Sequence, residues 1–118
     1  MSAAGLQFGS TRPNSEPINA IDLSCRMGIS LATLSQAAHA DLRDLSANPR
    51  LNQWQSGLRV VANLWADISS TYGGEHNARL FLNQPRPELM DRTPLDYLEN
   101  GEPEVVHNFI FAIKEMLP

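Results

Sequence analysis

The sequence lacks a second cysteine and any stretch that could cross a membrane. With Cys25 alone, no internal disulfide forms, and no run approaches the roughly 18 apolar residues of a spanning helix. The opening Met1-Ser2-Ala3-Ala4-Gly5 has neither the basic segment nor the apolar run of a secretion signal. Together these absences predict a protein of the reducing cytoplasm. No alternating apolar and polar pattern is long enough for a strand, and no internal repeat is present. Helices are what remain.

Reactive chemistry is equally sparse. His39, His76 and His107 stand apart, and none pairs with cysteine or another histidine at metal-ligand spacing. Cys25 falls on the apolar face of a first helix, where a buried structural thiol is expected rather than a nucleophile. Glu102 and Glu104 resemble an acid/base pair, yet their place in a first helical turn explains both through the helix dipole. Gly73-Gly74 lacks the lysine and the serine or threonine of a phosphate-binding loop and reads as a helix terminator. The expectation is a protein that is not an enzyme and holds no metal or cofactor.

What is present is a globular composition. The 118 residues are 42% hydrophobic and 19% charged, enough for one domain or for two small helical units sharing one core. Net charge is −4, and its distribution is uneven. Residues 1–50 balance Arg12, Arg26, Arg43 and Arg50 against Glu16, Asp22, Asp41 and Asp44, so the whole excess of acid lies in residues 51–118. That half repels a polyanion and attracts a basic protein partner.

Residues 1–16 read as a flexible arm, rich in Ser, Gly, Asn and Pro. Pro17 suits a first helical position, with Ile18, Ile21 and Cys25 recurring on one face and Gly28 ending the run. Ser30 is a second N-cap, followed by Leu31, Leu34 and Ala38. A short segment from Asp41 carries Leu42 and Leu45 and stops at Asn48-Pro49. A long helix over about 52–72 bears Leu58, Val61, Leu64, Trp65, Ile68 and Tyr72. At 100° per residue, Trp54 and Trp65 fall within roughly 20° of one another, which places both in the core. A fifth helix from Glu75 carries Ala78, Phe81 and Leu82 and is stopped by Pro85-Arg86-Pro87. Thr93-Pro94-Leu95-Asp96 is a capping-box start for a short helix burying Leu95 and Leu98, which ends at Asn100-Gly101. Glu102-Pro103-Glu104 opens the last helix, with Val105, Val106, Phe109, Ile110, Ile113, Met116 and Leu117.

Two groups of residues carry functional information. Residues 31–46 fit a helix-turn-helix, with Leu34, Ser35, Ala38, Ala40 and Leu45 at its structural positions and His39 where glycine is usual. Arg43, Ser46, Asn48 and Arg50 are the candidate DNA contacts, opposed by Asp41 and Asp44 on the same short helix. A three-helix bundle that only dimerises has the same spacing.

The second group is an ordered series: Asn48-Pro49-Arg50, the long helix, Pro85-Arg86-Pro87-Glu88-Leu89, Arg92-Thr93-Pro94-Leu95-Asp96 and Gly101-Glu102. From about residue 20 to 113 this order resembles the Xre/MbcA/ParS antitoxins. The resemblance implies an all-α fold: the arm, a helix-turn-helix-like region over 17–50 and a helical toxin-binding domain over 51–118. It also implies a partner, a RES-type toxin that consumes NAD, whose cleft the C-terminal part occludes while the N-terminal part represses the operon as a homodimer. Carried over residue by residue, the toxin-facing positions are Arg92, Thr93 and Asp96, then Ile113, Met116, Leu117 and Pro118 on the final helix and tail. The family commonly ends in a glycine and a short apolar tail, whereas this chain ends Lys114-Glu115-Met116-Leu117-Pro118. The alternatives are a stand-alone helix-turn-helix regulator of transcription and a helical assembly or localisation protein.

Overall fold

A computed structural model describes residues 17–116; the expected arm over 1–16 lies outside them, as do Leu117 and Pro118. Among the described residues the fold is all-α. The helices are α1 (Ala20–Met27), α2 (Leu31–Ala38), α3 (Leu42–Ala47), α4 (Gln55–Tyr72), α5 (Glu75–Leu82), α6 (Pro94–Glu99) and α7 (Pro103–Met116), with 3-10 turns at Asn52–Trp54 and Pro87–Leu89. No described helix is long and apolar enough to cross a membrane.

Local chemistry explains most boundaries. The Ser30 hydroxyl accepts from the Thr33 N–H at 3.0 Å and starts α2, and Asp41 accepts from the Arg43 and Asp44 N–H groups and starts α3. Each satisfies donors that a helix start leaves unpaired. The first helix differs from the expectation. Its N-cap is Asn19, whose side chain accepts from Asp22 N at 3.0 Å, so Pro17 precedes the helix by three residues. The buried face is therefore Ala20, Leu23, Ser24 and Met27. Ile21 and Cys25 lie on the neighbouring stripe and are exposed, so the buried-thiol reading of Cys25 is corrected. Trp54 also departs from its assignment. The angular count assumed one continuous helix, but Trp54 ends a 3-10 turn and is half-buried, with its indole N–H on Asp44 at 3.2 Å. Trp65 is buried as expected.

One hydrophobic core includes residues on both sides of position 50. Leu34, Ala37, Ala38 and Leu45 from the first part pack into it with Leu58, Phe81, Leu98 and Ile110 from the second. Helix α2 lies against α4 and α6 as well as α1 and α3. Its C-terminal turn is met backbone to backbone at two glycines. A Cβ on Gly57, inside α4, would stand 2.2 Å from the Ala38 carbonyl oxygen, and one on Gly101 would stand 3.3 Å from the Gln36 oxygen. Two clasps hold the start of the fold. Gln55 accepts from the Ile18 N–H and donates to the Ile18 carbonyl, and the Pro49 carbonyl accepts from Ala20 N at 2.9 Å.

Glu75, at the first turn of α5, ties three helices together. It accepts from Arg26 Nη2 of α1 at 2.6 Å and from the Trp65 indole of α4 at 2.9 Å. These two donors hold its carboxyl below the ordinary value of 4.5, the Arg26 bond first and the Trp65 bond second. A folded-state pKa depressed in this way contributes stability that is complete above about pH 4.5 and lost as pH falls through the lowered value. With 34% of its side chain exposed, solvent screens the ion pair.

Two predictions follow from this packing. Alanine gains about 1 kcal/mol over glycine in a helix interior, yet Gly57→Ala is expected to lower stability by about 1–3 kcal/mol, because the methyl meets fixed backbone and not a movable side chain. Urea unfolding decides it, and a more stable variant would refute the close approach. Glu75→Gln is expected to be less stable than wild type at pH 7, with the gap closing below pH 4.5. Melting curves from pH 7 to 3 that show a constant gap would count against the role given to Glu75.

Candidate functional site

Between α5 and α6 the chain makes a tight, pinned loop. Pro85 and Pro87 have no N–H to donate, and Arg86, preceding a proline, is extended at φ −134 and ψ 135. Its N–H donates to the Arg92 carbonyl at 3.1 Å, forming an isolated antiparallel bridge. Its carbonyl accepts from the N–H groups of Leu89 at 3.0 Å and Asp91 at 2.8 Å. Leu89 is buried, and its carbonyl takes the Tyr97 hydroxyl at 3.0 Å. The consequence is strain at the tip. Met90 and Asp91 adopt left-handed conformations, φ 60 and 63, which cost a residue with a Cβ roughly 1–2 kcal/mol each. Met90 is nonetheless 81% exposed. The tip of the loop thus combines left-handed backbone with an exposed apolar side chain.

The Arg86 side chain is the second unusual feature. Tyr72, Phe81 and Phe109, from α4, α5 and α7, stack in a row with centroids 4.8 and 6.0 Å apart. The Arg86 guanidinium carbon lies 5.9, 4.9 and 5.6 Å from those three rings. Such stacking is worth about 0.5–2 kcal/mol. Its Nε is buried with no hydrogen-bond partner, at a cost of about 1–3 kcal/mol. The two effects are comparable, so stability alone does not account for a charge held here. Burial also pushes the Tyr72 phenol above its ordinary value of 10.0, a rise that Arg86 opposes and Glu88 reinforces.

The expected toxin-facing residues fall around this loop in different roles. Arg92 is exposed and makes no ion pair among the described residues. Thr93 and Asp96 are occupied by the capping box: Asp96 N donates to the Thr93 hydroxyl, and Thr93 N donates to the Asp96 carboxylate, both at 3.0 Å. Ile113 is half-buried and Met116 is 82% exposed. Phe109, beneath Arg86, is one turn before Ile113 and two before Met116 on the same face of α7, so the loop and the end of α7 adjoin through the aromatic row. Leu117 and Pro118 lie outside the described residues.

The chain matches no family model, no curated protein and no solved structure.

The helix-turn-helix candidates occupy a separate region. His39 takes the left-handed turn position, φ 56. Arg43, Ser46, Asn48 and Arg50 are all exposed. The Asn48 side chain accepts from Arg50 N at 3.2 Å, so its carbonyl serves the junction. Of the opposing acids, Asp41 caps its own helix and Asp44 is turned to Trp54. Elsewhere, an open groove between α4 and α7 is lined by Val60, Leu64, Pro103 and His107 among others. Three of His, Cys, Asp and Glu nowhere converge on a metal-sized space among the described residues.

Sequence reading missed Arg86, Met90 and the aromatic row. A lone arginine between two prolines was the available signal, since it fixes a backbone direction. Its ring partners come from three distant helices and leave no local pattern. Met90→Gly is expected to raise stability by about 0.5–1 kcal/mol, the relief of left-handed strain less the entropy that glycine adds to the unfolded chain. A fall in urea midpoint would show that Met90 packs in the fold.

Proposed function

We propose that this chain is an antitoxin of the Xre/MbcA/ParS type, a binding protein and not an enzyme, that blocks a RES-type, NAD-consuming toxin in the cytoplasm. The observation that carries the reading is the loop over 86–96: its strained, exposed tip lies inside the motif order that resembles this family. The toxin-facing surface is assigned to Arg92, Met90 and the α7 face of Ile113 and Met116, with Thr93 and Asp96 holding the helix that presents them. The acidic balance of residues 51–118 supports a basic partner for this half.

Operator binding through α2 and α3 is the second part of the reading. It is favoured by the left-handed turn at His39 and by the turning of Asp44 to Trp54, which leaves Arg43, Ser46 and Arg50 outward. Few cations face that way, so autorepression calls for weak, salt-sensitive DNA contacts strengthened by a homodimer. Half-exposed Val60 and Phe111 supply apolar surface for a second copy.

The test uses the full chain, because a cut at residue 50 would divide the core. Tagged protein is co-expressed with the product of an adjacent RES-type toxin gene, and growth and complex affinity are measured. Arg92→Glu and Met90→Gly are each expected to weaken the complex tenfold or more, about 1.4 kcal/mol, with helix content unchanged. Full protection by both variants, with loss of protection in Arg43→Glu, would move the toxin surface to the N-terminal part and overturn the assignment. The absence of any such toxin gene beside this one would overturn the antitoxin reading itself.

A further inference from the structure

Arg86 and Arg92 are the opposed residues of the antiparallel bridge. The Arg86 N–H on the Arg92 carbonyl at 3.1 Å brings the two residues together at the neck of the loop, where like charges repel. No carboxylate offsets this repulsion by an ion pair within 4.0 Å among the described residues. A guanidinium carries five N–H donors. For Arg86, one of them reaches an acceptor, Nη2 to Gln84 Oε1 at a long 3.5 Å, and Nε is buried without a partner. The three rings meanwhile hold the group in place, so little further ordering is needed to bind with it. A cation seated on three rings, donors in surplus and a second arginine across the bridge together describe half of an ion-binding site.

We infer that the Arg86–Arg92 face is a receptor for a carboxylate carried by a protein partner. The Nη edge of the stacked Arg86 guanidinium grips both oxygens, and Arg92 closes from the side. A planar carboxylate matches that edge in a two-point fork. Charge discriminates among anions: Glu88, Asp91 and Asp96 share the loop and the helix start and oppose a phosphate dianion more strongly than a singly charged carboxylate. Glu88, exposed and two residues from Arg86 in the same loop, is the internal competitor for its charge. The inference rests on the reading that this loop meets a partner protein and names the group recognised there.

The experiment uses the full chain and small ions, so that it does not depend on the partner. The 15N–1H resonance of Arg86 Nε, assigned by its loss in Arg86→Lys, is followed during titration with sodium acetate, with sodium chloride and sodium phosphate at matched ionic strength. A saturable shift with acetate, absent with chloride, is expected. Half-saturation should move severalfold lower in Glu88→Gln and severalfold higher in Arg92→Gln. Arg92 is exposed and outside the aromatic row, so its variant remains informative if Arg86→Lys disturbs the rings. A linear shift, an equal response to chloride, or no change in Arg92→Gln would overturn the receptor. Saturation by phosphate but not by acetate would overturn the carboxylate assignment. Any of these failures leaves the toxin reading to its own test.

Discussion

The C-terminal turn of α2 is the point on which the rest of the fold depends. Gly57 lets α4 come within backbone contact of Ala38, and Gly101 lets the turn between α6 and α7 come close to Gln36. A side chain at Gly57 would push apart helices that share one core, and one at Gly101 would crowd the Gln36 carbonyl at a left-handed turn. Because α2 lies against both of these elements, the helix pair α2–α3 and the C-terminal helices are parts of one packed body. The left-handed turn at His39 starts from this same point. The geometry of the candidate DNA-facing pair is thus set by contacts with the other half of the chain.

The loop over 86–96 rests on its own aromatic support. Three helices each contribute one ring beneath Arg86, so the loop reports on the packing of α4, α5 and α7 together. Close packing transmits such shifts, since interiors have few voids to absorb them. The Tyr97 hydroxyl on the Leu89 carbonyl ties the loop to α6 as well. Rigidity of this kind suits a surface that must present strained residues in one conformation, because little ordering is left for the moment of binding.

Charge is divided unevenly along the chain. The acidic excess lies wholly in residues 51–118, while the exposed arginines of the first part, Arg43 and Arg50, are not offset by outward-facing Asp44.

Much of the secondary structure was determined by the sequence itself. Ser30, Asp41 and Thr93 are caps whose chemistry acts within three residues, and Gly28, Gly73 and Pro85 end or interrupt helices for equally local reasons. The stripe on α4 was readable because helical periodicity is local too. Tertiary structure decided the rest. The sequence spacing of Ile18, Ile21 and Cys25 looked like a buried face, but which stripe of a short helix turns inward depends on where its neighbours lie, and α1 turned by one residue. The capping box of Thr93 and Asp96 was readable because its bonds span three residues. Arg86, Met90 and the row of Tyr72, Phe81 and Phe109 were not, because a cation on three rings from three helices is a relation between distant residues, and left-handed strain at the tip exists only once both ends of the loop are held.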